Sequence, residues 1–433
     1  MKTNVLILGS GGREHAIAWK LKQSPLLGQL YCAPGNPGTA LHAVNLSVDL
    51  SDFEEIKRLV LKYDTSMVVV GPEEPLVRGI VDYFSMDKEL SHCFVVGPSQ
   101  AGAQLEGSKD FAKSFMNRHH IPTAAYRSFT VEQINEGITF LKTMSPPYVL
   151  KADGLAAGKG VVILSDLNEA AQELRAMLEG KFGAAGNRVV IEEYLSGIEL
   201  SVFFITDGKS YKLLPNAKDY KRIGDGDTGL NTGGMGAVSP VPFADQTFMK
   251  KVEERIVAPT VAGLQKEGID YKGFVFVGIM NCCGDPYVIE YNVRLGDPET
   301  EVVLPRLKND LLALLLSLSQ GKLALEELVV SPEYAITVVI ASEGYPQTVQ
   351  KGYLIEGLDQ VQGDAIVFHA GTKCVDKGIV TSGGRVLAVT ATGPSLAQAL
   401  EIAYGSVGLI RFKGVYYRKD IGNDVMKKGE LNG

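Results

Sequence analysis

The sequence predicts a multidomain α/β and α+β protein, with an N-terminal doubly wound parallel sheet and a small α+β domain at the C-terminus. Three observations carry that expectation. Over residues 1 to about 100, short apolar strands alternate with amphipathic helical segments. From 123 to 192 strand and helix alternate again, and 193 to about 325 holds two glycine-rich or charged loops and an apolar helix at Leu311. After Tyr334 the pattern turns hairpin-like, with a Gly-Gly turn inside "IVTSGGRVLAVTA". A chain of 433 residues accommodates about two to four domains.

In chain order, strands are expected at Val5–Leu8, Leu30–Ala33, Met67–Val70 and Phe94–Val96, and helices at His15–Gln23, Phe53–Tyr63 and Leu76–Phe84. This spacing means parallel strands with helical crossovers. Each strand runs into a Gly/Pro turn: "GSGGRE", "APGNPG", "GPEEP" and "GPSQ". Tight turns need such residues anyway, but four on one carboxyl edge point to a ligand crevice. The first turn resembles a dinucleotide fingerprint only in part. Glu14 stands where G-x-G-x-x-G needs a small residue, and the second strand ends in "CAPGN" without the acid that would accept a ribose hydroxyl. A phosphorylated small molecule is therefore expected there rather than a nicotinamide cofactor, with the helix N-terminus and Arg13 attracting the anion.

A helix follows from about 105, ending before Pro122, and then comes "VLKADGLAAGKGVVIL" (149–164). A Walker loop would need Gly at Asp153, Ser or Thr at Gly160 and a helix afterwards, but a strand follows. What remains is a hairpin whose amides, at Gly158 and Gly160, can close over a polyphosphate while Lys151 reaches its oxygens. "RVVIEEYLSGIELSV" ends a strand in Glu192, Glu193, Tyr194 and Leu195, where backbone groups can pair with an adenine edge and Glu199 can accept ribose hydroxyls. "NAKDYKRIGDGDTGLNTGGMGAVSP" (216–240) is expected to be a flexible loop that closes over substrate. In "YVIEYNVRLGDPETE", Glu290 and Asn292 share one strand face and suit Mg²⁺. Arg294 continues that face and could stabilise a transferring phosphoryl group. The helix at "LLALLLSL" is expected to be buried.

Composition narrows the classes. The formal net charge of −7, with 45% hydrophobic and 21% charged residues, favours neither a nucleic-acid nor a membrane partner. The apolar run in "MKTNVLILGSGG" is too short for a signal peptide, and the longest later run is far short of the ~20 residues of a membrane span. Five cysteines without C-x-x-C spacing suggest reduced, mostly buried thiols in a cytoplasmic protein. No histidine shows metal-ligand spacing.

A lysine before a small-residue hairpin, an E-E-Y-L hinge and an E-x-N strand, in that order, resemble the ATP-grasp fold. Within it, "GGREHA", "APGNPGTA", "GPEEPL", "LEGSK", "KADGLAAGKGV", "RLGDPETE", "HAGTK", "SGGRVL" and "YRKDIG" resemble the glycinamide ribonucleotide synthetase (phosphoribosylamine–glycine ligase) family from Gly11 to Gly422. Departures are small: Leu230, Val293 and Leu295 replace the commoner Pro, Cys and Phe. The resemblance implies central ATP-grasp domains and the ATP-dependent joining of glycine to 5-phosphoribosylamine in purine biosynthesis, through a glycyl phosphate. It implies ATP binding by Lys109, Lys151, Gly158, Gly160, Glu192–Leu195 and Glu199, and Mg²⁺ or Mn²⁺ on Glu290 and Asn292. Arg294, Lys151 and Asp219 would be catalytic. Gly11, Gly12, Arg13, Glu14, Asn36 and Glu73 would bind phosphoribosylamine, and Asp219, Asp297, Pro298, Glu299 and Thr300 glycine or the amine. Domains are expected at 1–104, 105–328 (with a nucleotide-clamping part at 123–192) and 329–433, in a monomeric, single-function cytoplasmic enzyme. A biotin-dependent carboxylase, an NAD-dependent oxidoreductase and a non-catalytic nucleotide-binding regulator are the rival classes.

Overall fold

Continuous apolar runs mark strands covered on both faces, and Val5–Leu8 is at most 1% exposed. In the computed structural model, which describes residues 2–156, 160–361 and 363–429, this run lies in β1 (Thr3–Gly9). β1 pairs in parallel with β2 (Leu27–Pro34) and, on its other edge, with β4 (Met67–Val70). With β3 (Val44–Asn45) and β5 (Phe94–Pro98) the order is β3-β2-β1-β4-β5, the expected doubly wound arrangement. Its winding reverses between β1 and β4, so the turns after these two strands flank a crevice.

Two expected helices are each divided. Leu76–Phe84 becomes Glu73–Val77 and Ile80–Met86, because Gly79 between them takes φ +89° and ends the first helix. The helix expected before Pro122 becomes Gln100–Gly107 and Lys109–Arg118. Ser108 starts the second by accepting a hydrogen bond from the Phe111 N–H at 3.1 Å.

β6 (Tyr126–Thr130), β7 (Tyr148–Ala152), β8 (Val161–Leu164) and β9 (Arg188–Glu192) form an antiparallel sheet in the order β6-β9-β7-β8. The expected phosphate hairpin is β7–β8, with Lys151 opposite Val161. Next come β10 (Ile198–Thr206), β11 (Tyr211–Leu213), β12 (Lys218–Asp219), β13 (Arg222–Gly224), β14 (Thr228–Asn231) and β15 (Gly236–Ser239). β16 (Tyr271–Cys282) and β17 (Asp285–Asn292) follow. β16 pairs with β10 and β17, and at its start with β5, so these strands join the N-terminal sheet. The junction needs glycine: a Cβ on Gly273 would lie 3.0 Å from the Gly97 Cα.

The glycine-rich segment is less free than its composition suggests. β13 and β14 form a hairpin, half-buried on β13 and exposed on β14, but β15 is buried and pairs with β18 (Tyr334–Ser342). Even the hairpin is fastened: Arg418 donates to the Arg222 carbonyl and to Asp227, and Asp420 accepts the Gly226 N–H at 2.8 Å. β18 leads the C-terminal sheet, which adds β19 (Ala365–His369), β22 (Arg385–Gly393) and β23 (Val415–Tyr416). β20 (Thr372–Val375) and β21 (Gly378–Thr381) form a separate hairpin. Helix Leu396–Val407 packs Ala399, Leu400 and Ala403 against β18 and β22. Helix Leu311–Ser319 is buried as expected. The cysteines are all free, but only Cys32 and Cys93 are buried, whereas Cys283 and Cys374 are exposed. Among the described residues no helix is long and apolar enough to cross a membrane.

Candidate active site

β7 and β9 bring the side chains of Lys151 and Glu192 together, and helix Lys109–Arg118 adds Lys113. Both ammonium groups lie 3.0 Å from Glu192 Oε2, and all three residues are at most 5% exposed. Burial pushes the Glu192 carboxyl up, but the two lysines more than offset it and hold it below the usual range. Burial lowers the Lys113 ammonium to about 8. Two cations on one carboxylate leave a net positive charge, suited to an anion. Lys151 also donates to the Ile289 carbonyl at 3.3 Å, one residue from Glu290. The Glu192 side chain thus faces the lysines, while Glu193 and Tyr194 are exposed and Leu195 half-buried at the open strand end.

Asp153 has a role that the sequence did not disclose. Its Oδ1 accepts from Ser108 Oγ at 3.0 Å and from the Asp110 N–H at 2.8 Å, and its carbonyl accepts the Lys109 N–H at 3.1 Å. The hairpin is therefore tied to a helix N-terminus, and Lys109 reaches the Gly154 carbonyl at 3.4 Å. Burial lowers the Lys109 ammonium, partly offset by Glu290. Gly160 packs where a Cβ would lie 2.8 Å from the Ala156 Cβ. Gly158 lies outside the described residues.

On β17 a bulge falls between Val288 and Glu290, so Glu290 stands opposite Gly278. A Cβ there already lies 3.3 Å from the Glu290 Cγ, so glycine leaves the carboxylate room. Asn292 Oδ1 accepts from Arg294 at 3.1 Å, and its buried Nδ2 has no partner among the described residues. Arg294 is further held by Glu73 at 3.3 Å and Glu106 at 2.8 Å. Arg294 and Arg13 offset burial and keep the Glu73 carboxyl low, whereas burial drives Glu106 up to about 7. Glu106 also accepts the Val293 N–H at 2.8 Å. Sequence reasoning missed Glu106; the available signal was an acid in the last turn of helix Gln100–Gly107, where the helix dipole disfavours it. Among the described residues no three His, Cys, Asp or Glu side chains converge as a metal cluster.

Near the start of β10, Glu199 pairs with Lys221 at 2.7 Å, beside Asp219. Burial raises the Asp219 carboxyl, and raises Glu299 to about 7. Glu299 accepts from Ser201 at 3.3 Å, Thr300 donates to the Gly296 carbonyl, and Pro298 packs on Gly234, whose φ is +113°. Asp297 bonds Arg385 at 3.1 Å and accepts the Arg13 N–H at 3.3 Å. Its neighbour Glu301, also missed, is fully buried with both carboxyl oxygens unpartnered among the described residues. A Cβ on Gly12 would lie 2.3 Å from one of them.

The N-terminal turn is built differently from the expectation. Glu14 is 2% exposed and caps the helix by accepting the Gly11 N–H. Arg13 points inward, donating to Glu14 at 2.9 Å and to the Leu295 carbonyl at 3.0 Å. The Asn36 amide is fully engaged, accepting from Gly38 and Thr39 and donating to the Ser10 and His369 carbonyls. Gly11, Asn36 and Asp297 line a cavity of about 510 Å³, whose other wall comes from Tyr345, residues 370–373, Ser382 and Arg385.

Residues 3–106, 107–300 and 335–424 match the N domain, the ATP-grasp (A) domain and the C domain of phosphoribosylglycinamide synthetase. The chain belongs to the phosphoribosylglycinamide synthetase family. It is 46% identical to the phosphoribosylamine–glycine ligase of Pseudomonas aeruginosa, over 97% of each chain. The corresponding enzyme of Yersinia pestis is 44% identical over 99% of this chain and 100% of its own. The crystal structure of the Thermotoga maritima phosphoribosylamine–glycine ligase superposes with a TM-score of 0.84 at 37% identity, covering 96% of this chain and all of that one. A Campylobacter jejuni biotin carboxylase superposes with a TM-score of 0.72 at 14% identity over 96% of this chain and 93% of its own, a likeness of fold alone.

Proposed function

We infer that this synthetase joins glycine to 5-phosphoribosylamine, using ATP and releasing glycinamide ribonucleotide, ADP and phosphate, a step of purine biosynthesis. The observation that carries the chemistry is the Lys151 ammonium, bridging Glu192 and the Ile289 carbonyl beside Glu290. A phosphate-binding cation and oxygen donors at one spot are what phosphoryl transfer requires. A carboxylate is a poor acyl donor, so the γ-phosphoryl group first passes to a glycine carboxylate oxygen, giving glycyl phosphate and ADP. The nitrogen lone pair of the sugar amine then attacks the acyl carbon. The C–O bond to phosphate breaks with its electron pair, and the nitrogen loses a proton.

In this reading Lys109, Lys151 and the hairpin amides hold the ATP phosphates, Glu193, Tyr194 and Leu195 border the adenine, and Glu199 exchanges Lys221 for the ribose hydroxyls. Arg294, fixed by Glu73 and Glu106, faces the transferring group. Asp219 and the Asp297–Thr300 segment orient glycine and the amine, and the closed hairpin keeps water from the acyl phosphate. The residues fit a divalent cation, Mg²⁺ or Mn²⁺: Glu290 and Asn292 offer two hard oxygens on one face, with Gly278 leaving the room. When bound it supplies charge neutralisation at the phosphates. We further propose a cytoplasmic monomer without nucleic-acid or membrane partners, divided at 1–104, 105–328 and 329–433.

The test is ADP release with ATP, Mg²⁺ and glycine, with phosphoribosylamine generated in situ from ribose 5-phosphate and ammonia. ADP is expected only when glycine and the sugar amine are both present. Turnover with another acid or amine instead would move the substrate, and no ADP under any combination would overturn the ligase. Glu290→Ala is expected to lose turnover by about a hundredfold or more while still binding ATP, as removal of a charge-stabilising group does. Full activity in this variant would remove Glu290 from the cation site.

A further inference from the structure

Glu301 is fully buried, and neither of its carboxyl oxygens has a partner among the described residues. It lies at the start of helix Thr300–Arg306, which packs on the N-terminal helix Gly12–Leu21. Its side chain ends where a side chain at position 12 would begin. A Cβ on Gly12 would collide with Glu301 Oε1, and the next residue it would meet is Asp297, whose Oδ2 lies 3.8 Å away. The same Oδ2 lies 3.2 Å from the Cβ position of Gly11. Two glycines thus leave the space that both carboxyl groups border.

A buried carboxyl stays ionised only where a cation pairs with it. The charged groups around Glu301 are Asp297 and Glu299 on its own segment, Arg13 and Glu14 on the N-terminal helix, and Arg385 on β22. Both guanidinium groups are already engaged, Arg13 with Glu14 at 2.9 Å and Arg385 with Asp297 at 3.1 Å. Those two pairs balance, so an ionised Glu301 would add an uncompensated negative charge beside Asp297. Burial, with Asp297 nearby, accordingly pushes the Glu301 carboxyl well above the usual range, and Arg385 offsets only part of this. A neutral carboxyl has an O–H to donate. Asp297 Oδ2 can accept it, because the Arg13 N–H at 3.3 Å takes only one of its lone pairs.

Resting on the ligase function above, we propose that Glu301 is a positioning residue: as the neutral acid it donates a hydrogen bond to Asp297 Oδ2 across the space left by Gly12. It thereby holds the Asp297 carboxylate on the wall of the cavity where the sugar amine reacts. Asp297 lines that cavity and Glu301 does not, so Glu301 acts on the substrate only through Asp297. A glutamine amide at position 301 offers an N–H in place of the O–H and carries no charge, whereas a methyl group offers no donor.

The experiment measures KM for the amine made in situ from ribose 5-phosphate and ammonia, and KM for ATP, in the wild-type enzyme, Glu301→Gln and Glu301→Ala. An infrared difference spectrum of wild type minus Glu301→Gln at pH 8 accompanies it. The wild type is expected to show the C=O stretch of a protonated carboxyl that Glu301→Gln lacks. The KM for the amine is expected to stay within about threefold of wild type in Glu301→Gln and to rise about tenfold or more in Glu301→Ala, with the KM for ATP little changed in both. KM does not depend on the active fraction, so a partly unfolded variant does not distort the comparison. Absence of the carboxyl band overturns the neutral acid. A Glu301→Gln enzyme as impaired as Glu301→Ala, or an unchanged KM for the amine in Glu301→Ala, overturns the positioning role while the ligase stands. A wild-type enzyme that forms no ADP with the amine overturns the ligase itself, and with it the role of Glu301 toward the amine.

Discussion

Glu106 shows how a single buried group can couple stability to pH. Its carboxylate positions Arg294 and the Val293 N–H, yet burial raises it to about 7. In the unfolded chain it returns to the ordinary value of 4.5. Between these values the folded protein keeps a proton that the unfolded chain has released, so the group's contribution to stability falls as pH rises from 4.5 to 7. Above 7 both states are ionised and the cost is constant, at most about 3 kcal/mol. Glu106→Gln does not titrate. Its unfolding free energy, measured with denaturant at pH 5 and at pH 8, is expected to improve relative to wild type at the higher pH. A difference that stays constant between the two pH values would mean that Glu106 ionises normally.

At the scale of elements, the phosphate hairpin and helix Lys109–Arg118 act as one unit because Asp153 caps that helix. Asp153→Ala is expected to cost about 1 kcal/mol of stability and to raise the KM for ATP several-fold. Calorimetry and initial rates check the two effects, and an unchanged KM would reduce Asp153 to a cap. Much of this level was legible in the sequence. Met67–Val70 is a strand between those same residues, the hairpin is a hairpin, and the two-residue spacing of Glu290 and Asn292 places them on one face. Hydrophobic period and glycine turns are local signals. What stayed hidden depended on partners far away in sequence. Arg13 gives the Leu295 carbonyl the hydrogen bond it was expected to give an anion. The glycine-rich segment looked loose because its strand partner, β18, lies about a hundred residues later.

At the scale of the whole molecule, strands and side chains cross every expected boundary: β16 pairs with β5, β15 with β18, and the first helix touches β19 through histidines. His15 Nδ1 accepts the His369 N–H at 2.8 Å, so it must be unprotonated there. Burial, with His369 and His42 nearby, lowers His15 well below its usual value, and burial lowers His369 to about 4. In the unfolded chain both protonate near 6.5, so between 6.5 and 4 the unfolded state binds more protons. The docking of the C-terminal sheet on the N-terminal crevice is therefore fully stabilised above about 6.5 and weakens as pH falls, by up to about 3 kcal/mol from His369 alone. The melting temperature is expected to fall between pH 7 and pH 4.5, because the contact between His15 and the His369 backbone joins the N-terminal helix to the C-terminal sheet. In His15→Gln a side-chain carbonyl can still accept the His369 N–H but does not titrate. That variant should show a shallower acid limb than wild type. An equally steep limb would assign the acid sensitivity to other groups and leave the histidine contact a purely structural one.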